Sequence, residues 1–373
     1  MKIAYTISGL FNSGGMENIL IQKTNYLADE LGYDVTIITT DQNSRAIFFP
    51  LSPKVKLVDL DINYYQHRFS KLWHLKKFFL KKKHRKALDE YLNQNKYDIV
   101  ISLMDFDFGF LYKIKDSSKK ILEYHFAKYS KVNATNNRLK KIIQRFRADS
   151  WNRTVSKYEK FIVLTEEDKL QWGDLHNIQV IPNFIKGTPD EKADLKNKRV
   201  ISVGRAEFQK GFDMLIDAWA IVNHSFPDWK LTIIGGGDKN SLQEQIDSLN
   251  LSDSIKLLPP NPNIKDEYLD SSLYVMSSRF EGLPLVLLEA MSYGLPIVSF
   301  SCKCGPKDIL KPTFSTLVEC NDIKALAEGI KFWIADEDIR VNAGAQAKKE
   351  SEKYVIRQIM SVWNSLFRSL ADD

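Results

Sequence analysis

The stretch "SSRFEGLPLVLLEAMSYGLPIVSF", residues 277–300, sets two carboxylates among apolar residues: Glu289 inside a helix expected from Leu285, and Glu281 in the loop before it. A carboxylate in apolar surroundings costs several kcal/mol unless something pairs with it. Pro284 suits the first helical position, where its missing N–H is no loss, leaving the N–H groups of Leu285 and Val286 facing an anion. Glu289 then lies about 8 Å along the axis from the helix start, at roughly 1.5 Å per residue. That spacing suits a nucleotide sugar, with the diphosphate at the helix N-terminus, ribose hydroxyls on Glu289 and the sugar on Glu281. The competing reading is a half-exposed helix glutamate and a solvated loop glutamate.

Other turns carry related groups. In "SVGRAEFQKGF" Arg205 and Lys210 stand five apart at the mouth of an apolar strand. A guanidinium fork and an ammonium point charge could together grip one diphosphate; two solvated surface cations are the alternative. In "SGLFNSGGMENIL" the pair Gly14-Gly15 lets backbone N–H groups approach an oxyanion at a helix start, or makes an ordinary flexible turn. It is not a G-x-G-x-x-G, which argues against a nicotinamide cofactor. His125 in "EYHFAKY" is either a satisfied structural histidine or a contact to the transferring sugar across a cleft. Asp105 and Asp107 in "ISLMDFDFGF" could hold a divalent cation, although such acidic pairs are common by chance. Gly235–Gly237 offers one more nucleotide contact, weak alone. Cys302 and Cys304 fall short of the four ligands of a structural zinc site.

The elements that must position these groups alternate. "KIAYTI", "DVTIIT", "VKLVDL", "DIVISL", "KKILEY", "KFIVLT" and "IQVIPN" read as strands, with a helix over Glu17–Leu31 and a basic helix between the third and fourth. Periodicity lapses over 185–199, a linker, and restarts with "VISVGR", "KLTIIGGG", "SIKLLP", "SLYVMSS" and "PIVSF". Two similar-sized α/β domains with parallel sheets follow, their ligands expected beyond the carboxyl ends of the strands. The last segment places Val355, Ile359, Trp363 and Phe367 four apart, an amphipathic helix.

With 373 residues, 44% hydrophobic and 27% charged, the chain has apolar content for two globular cores. "MKIAYTI" opens directly on a strand rather than a signal peptide, and three cysteines suit a reducing cytoplasm. The net charge of +6 is unevenly divided: residues 1–190 hold 31 Lys and Arg against 21 Asp and Glu. Residues 65–160 hold 24 against 9, interleaved with Leu and Phe in "FSKLWHLKKFFLKKKHRKALDEYL" and "NNRLKKIIQRFRADSWNR". Basic amphipathic helices of this type dock on anionic membrane surfaces, or stay solvated. No recognised nucleic-acid motif accompanies the charge.

Taken together, Glu281-x7-Glu289 within "EGLPLVLLEAMSYGLPIV", "GRAEFQKGF", "GGME" and "VIPNFI" resemble the family-4 retaining glycosyltransferases of GT-B fold, over essentially the whole chain. "CKCGPKDIL" is further similar to members that build bacterial capsule, O-antigen or glycoprotein glycans. The resemblance implies two Rossmann-like domains facing a cleft: 1–187 for the acceptor, 188–350 for the nucleotide sugar, and a helix over 351–373 crossing back to the first. It implies that Arg205 and Lys210, beside Gly204, clasp the donor diphosphate with the amides of Gly14, Gly15, Leu285 and Val286. Glu289 would take the ribose, and Glu281 with the backbone of Gly282, Leu283, Pro284 and Leu285 the hexose. His125 would stand near the anomeric carbon, and Leu257 and Leu258 near the base. Some relatives have Gly where Pro284 stands, so one sugar-directed amide is missing here.

The resemblance also implies a donor that is most often uridine-linked, no metal or other cofactor, and a peripheral cytoplasmic protein at the inner membrane face acting on a lipid diphosphate-linked glycan. The rivals are a sugar-nucleotide epimerase of related architecture and a catalytically silent donor- or lipid-binding partner of another transferase.

Overall fold

The computed structural model describes residues 1–67, 72–135, 137–261 and 263–372. Arg68, Phe69, Ser70, Lys71 and Asn136 of the basic region, Pro262 and Asp373 lie outside the described residues.

Short β-branched, apolar runs bounded by turns form two parallel sheets, whose central strands are buried on both faces while the edge strands are only half-buried. The first is built from β1 (Lys2–Ile7), β2 (Asp34–Thr39), β3 (Lys56–Asp59), β4 (Ile99–Ser102), β5 (Lys119–Glu123), β6 (Lys160–Val163) and β7 (Ile178–Val180). The second contains β8 (Arg199–Val203), β9 (Lys230–Ile234), β10 (Ile255–Leu258), β11 (Leu273–Met276), β12 (Ile297–Phe300) and β13 (Ser315–Val318). Their orders are β3-β2-β1-β4-β5-β6-β7 and β10-β9-β8-β11-β12-β13. Each order reverses direction once, next to β1 and β4 in the first sheet and next to β8 and β11 in the second. Ligands of open α/β sheets bind at such switch points. The loops leaving β1, β8 and β11 are the ones that carry Gly14-Gly15, Arg205/Lys210 and Glu281.

β13 is absent from the sequence reading. Its four residues leave three half-buried, too short and too mixed for a clear period. The first helix spans Gly15–Asp29, two residues ahead of the Glu17–Leu31 expectation.

After the segment between the sheets, Ile185 bridges Val355 and the chain crosses back. The final helix, Ile356–Asp372, begins one residue after Val355 and buries Ile359, Met360, Trp363, Leu366, Phe367 and Leu370. These join the core of the first sheet, with Ile3, Ile19 and Ile21. At about 1.5–3 kcal/mol for each large apolar side chain removed from water, this face fixes the crossing. Tyr33 donates a hydrogen bond to Asn364 along the same seam.

The basic region forms the helices Trp73–Asn95 and Arg138–Ser150. The first buries only His84, Leu88 and Leu92, and the second only Ala148. Phe78, Phe79, Leu139, Ile143 and Phe146 are exposed. Among the described residues no helix is long and apolar enough to cross a membrane.

Candidate active site

The loops after β8 and β11 are fastened to each other. The chain leaves β8 through Gly204, makes a short turn over Phe208–Lys210, and enters the helix Phe212–Ser225 through Gly211. Gly211 has φ +62°, and a Cβ there would lie 2.2 Å from the Ser277 carbonyl oxygen, so only glycine fits. Ser277 Oγ donates to the Lys210 carbonyl at 2.9 Å, and Arg279 N donates to the Gln209 carbonyl at 2.8 Å. Lys210 lies over Gly204, where a Cβ would sit 3.1 Å from its side-chain carbons.

Held this way, Lys210 Nζ stands 2.8 Å from Glu281 Oε1, and Gln209 Nε2 donates to Glu281 Oε2 at 3.3 Å. This pairing explains the loop glutamate, which is 7% exposed. An ammonium has three N–H donors, so Lys210 can hold Glu281 and still bind an anion. Arg205 is not brought beside it: its side chain is 73% exposed and pairs with Glu207 at 3.3 Å.

Glu289 occupies the second turn of the helix Leu285–Ser292. Its Oε2 accepts from the Tyr268 hydroxyl at 3.1 Å. Burial pushes its carboxyl upward, against the Tyr268 bond and the Lys210 charge. It borders a cavity of about 680 Å³ that also touches Leu285, Tyr268 and, from the first helix of the chain, Asn18 and Gln22. Pro284 is not the first helical residue; it is the extended N-cap, φ −73°, and Leu285 begins the helix. Gly305 packs against it, where a Cβ would lie 2.4 Å from Pro284 Cδ. The helix still opens with N–H groups lacking intrahelical acceptors, so its N-terminus keeps its affinity for anions.

Across the cleft the two walls nearly touch. A Cβ on Gly282 would lie 2.8 Å from the His125 carbonyl oxygen, and one on Gly15 would lie 3.7 Å from Leu285 Cδ1. The structure therefore brings Gly15, His125, Gly282 and Leu285 together, with Glu281 and Lys210 adjoining; Gly14 is the N-cap behind Gly15. Leu283 is buried beneath the turn, Val286 is half-buried, and the half-buried Leu258 accepts at its carbonyl from Gly235 N at 3.1 Å. A Cβ on Gly235 would lie 1.8 Å from the Gly204 carbonyl oxygen, so close packing of two turns accounts for that glycine.

Behind His125 is a network with no sequence signal. Its Nε2 lies 3.0 Å from Glu123 Oε1, off hydrogen-bond direction. Glu123 also accepts from the buried Lys23, whose Nζ sits 3.9 Å from the centroid of Trp363 on the final helix. Burial would raise the Glu123 carboxyl, but Lys23 and His125 overcome it and hold it at about 2.

Both members of the acidic pair are hydrogen-bonded within the fold. Asp107 accepts from Thr6 Oγ1 at 2.5 Å and Ser102 Oγ at 2.7 Å, and burial raises its carboxyl to about 6. Asp105, also raised by burial, is bonded to Ser8. Cys304 Sγ accepts from Gln171 Nε2 at 2.9 Å, while Cys302 is fully enclosed. Among the described residues no group of three or more His, Cys, Asp or Glu side chains could hold a metal ion.

Residues 186–350 match the family model for glycosyl transferases group 1. An uncharacterized glycosyltransferase of Haemophilus influenzae is 31% identical over 374 residues, covering 98% of this chain and 99% of that protein. The chain belongs to the glycosyltransferase family. A Campylobacter jejuni relative, GalNAc-alpha-(1->4)-GalNAc-alpha-(1->3)-diNAcBac-PP-undecaprenol alpha-1,4-N-acetyl-D-galactosaminyltransferase, is 28% identical over 98% of both chains. The structure of an S. aureus TarM mutant in complex with fondaparinux, alpha-GlcNAc-glycerol and UDP superimposes with a TM-score of 0.78. It is 18% identical and covers 98% of this chain and 99% of that one, so this glycosyltransferase has the GT-B fold.

Proposed function

We propose that this glycosyltransferase moves a hexose or N-acetylhexosamine, with retained configuration, from a uridine diphosphate sugar to a lipid diphosphate-linked bacterial glycan. The observation that carries the reading is the Lys210–Glu281 pair, 2.8 Å apart, beside the N-terminus of the helix Leu285–Ser292. Lys210 and the helix N–H groups would take the diphosphate, Glu289 the ribose, and Glu281 the transferred sugar. Arg205 would turn inward onto the diphosphate, and the wall around Leu257 and Leu258 would meet the base. Residues 1–187 would receive the acceptor, 188–350 the donor, and 351–373 would tie the two.

In the transfer the bond from the anomeric carbon to the distal phosphate oxygen breaks, its electron pair staying on the phosphate. The acceptor hydroxyl oxygen bonds to that carbon from the same face and its proton passes to the departing phosphate. Charge grows on the leaving phosphate, so Lys210 and the amides there stabilise the transition state more than the ground state. No divalent cation is required by this arrangement. His125, carried on the first wall with its carbonyl against Gly282, would face the anomeric carbon. Support for a uridine donor and a lipid-linked acceptor comes from the ligands and substrate named for the TarM structure and the Campylobacter relative.

The helices Trp73–Asn95 and Arg138–Ser150 would dock on the anionic phospholipid of the cytoplasmic leaflet. Exposed Phe78, Phe79, Leu139, Ile143 and Phe146 lie among Lys76, Lys82, Lys140 and Lys141, complementary to such a surface. The test is a transfer reaction with UDP-sugars and a diphosphate-linked lipid acceptor, with product configuration read by NMR. An α-linked product supports the proposal. An inverted linkage contradicts retention, and acceptor-independent change of the donor sugar points to an epimerase.

A further inference from the structure

The proposed transfer makes no use of Lys23 and Glu123, yet the fold encloses both. Lys23 projects from the helix Gly15–Asp29, and Glu123 is the last residue of β5. Lys23 donates to Glu123 Oε1, and the two side chains are 2% and 1% exposed. Desolvating two charges commonly costs as much as their attraction returns, and apolar residues of similar volume often serve stability equally well. The place of the pair is therefore informative. Two residues beyond Glu123, the spacing that puts side chains on one side of an extended chain, stands His125. Its Nε2 lies 3.0 Å from the same Oε1, and its carbonyl meets Gly282 across the cleft. Tyr124, between them, turns the other way and meets Trp172 edge-on, ring centroids 5.8 Å apart.

The surroundings leave this carboxylate few other partners. Trp363 of the final helix covers Lys23, its ring centroid 3.9 Å from Nζ, and the Tyr5 ring lies 5.9 Å from the same atom. Among the described residues Glu123 Oε2, the Tyr5 hydroxyl and both imidazole nitrogens of His125 are buried without a hydrogen-bond partner. Burial would raise the Glu123 carboxyl, yet Lys23 and His125 hold it at about 2, so it is ionised across the neutral range. An ionised acceptor this close to Nε2 favours the tautomer with its proton there, once a small turn of the ring aligns the bond. Nδ1 then keeps a lone pair for which the fold supplies no donor. The charged groups on the opposite wall, Lys210 and Glu281, hold each other at 2.8 Å.

We propose that Glu123, with Lys23 behind it, is a positioning residue for His125: it keeps the imidazole proton on Nε2 and leaves Nδ1 to accept from a hydroxyl of the bound sugar. The inference rests on the transferase reading and deepens it. Lys23 acts at one further remove, fixing the carboxylate that fixes the ring. Trp363 shields the pair from water, so the final helix, by crossing back, also supports the histidine of the cleft.

NMR of the full chain with histidine labelled in nitrogen-15, at pH 8, reads the tautomer directly, the His125 signals being assigned by their loss in His125→Ala. The parent is expected to carry the His125 proton on Nε2 alone, and a parent proton on Nδ1 overturns the proposal without any variant. Lys23→Met/Glu123→Leu, which strands neither charge, should let Nδ1–H appear. In transfer from a UDP-sugar to a diphosphate-linked lipid the same variant should lose roughly ten- to a hundredfold in turnover, the scale of removing an outer partner that orients a functional histidine. Its affinity for UDP should be unchanged. His125→Ala should lose as much, and combining all three substitutions should cost no more, because the pair acts only through the ring. A tautomer that Lys23→Met/Glu123→Leu leaves as it was, or losses that add in the triple variant, overturns the proposal. Absence of both transfer and UDP binding in the unaltered protein would instead remove the reading beneath it, while the tautomer still reports on Glu123.

Discussion

Replacing Lys23 by Met separates the worth of a buried pair from the cost of breaking it. Lys23 and Glu123 are 2% and 1% exposed, and Trp363 of the final helix closes the site. Glu123 stands at about 2 against an ordinary 4.5, held down by Lys23 and His125 against burial. A carboxyl depressed in the fold contributes stability that is present above its unfolded value and lost as pH falls through its folded one. At about 1.4 kcal/mol per unit, this depression corresponds to about 3 kcal/mol at neutral pH. Lys23 is itself lowered, because burial outweighs Glu123 there, so the intact pair contributes less than that figure. The loss appears when one charge is stranded, at roughly 3–5 kcal/mol. Lys23→Met is thus expected to lower unfolding free energy in urea at pH 7.5 by about 3–4 kcal/mol, and Lys23→Met/Glu123→Gln to recover most of it. A single variant within 1 kcal/mol of the parent, or a double variant no better than the single, refutes the reasoning.

Other outcomes follow from the same geometry. Lys210→Ala should lower turnover by roughly 10²–10³-fold, the scale of removing one fixed donor at a developing charge. Arg205→Ala, which removes a phosphate contact made only once this exposed side chain turns inward, should cost less than Lys210→Ala; the reverse order would make Arg205 the principal phosphate contact. Asp107 stands at about 6, raised by burial, so its stabilising contribution is full below about pH 4 and lost as pH rises through about 6. Asp107→Asn should therefore gain about 2–3 kcal/mol on the parent between pH 4 and pH 8, and a pH-independent difference would contradict the assignment. Lys140→Glu/Lys141→Glu should weaken binding to phosphatidylserine vesicles by at least roughly thirtyfold at low salt, at about 1 kcal/mol for each lysine removed. Binding unchanged by these reversals would rule out docking through that helix.

What the sequence revealed is largely local. Strands buried on both faces show as apolar runs, and the glycine- and charge-rich turns between them marked Gly15, Lys210, Glu281 and Glu289 before any fold was assigned. The crossing of the last helix was implied by family likeness, and its buried face by the four-residue spacing of Ile359, Trp363 and Phe367. Partnerships were not legible. Tyr268 meets Glu289 from 21 residues upstream, and Gln209 and Lys210 meet Glu281 from more than 70 away, contacts that only the sheet order creates. Lys23 and Glu123, one on a helix and one at a strand end, look like solvated charges until the fold encloses them. Pro284 stands one position earlier than expected, as the extended N-cap, because its backbone has not yet taken the helical conformation that Leu285 begins.

The central claim is that Lys210 and the helix opening at Leu285 hold a nucleoside diphosphate. Thermal unfolding with UDP, GDP, ADP and their sugar conjugates, with and without EDTA, in the parent and in Lys210→Ala, tests it most directly. The account predicts a rise in Tm with uridine diphosphate species, unchanged by EDTA and largely absent in Lys210→Ala. No rise with any nucleotide, or a rise that Lys210→Ala leaves whole, would contradict it.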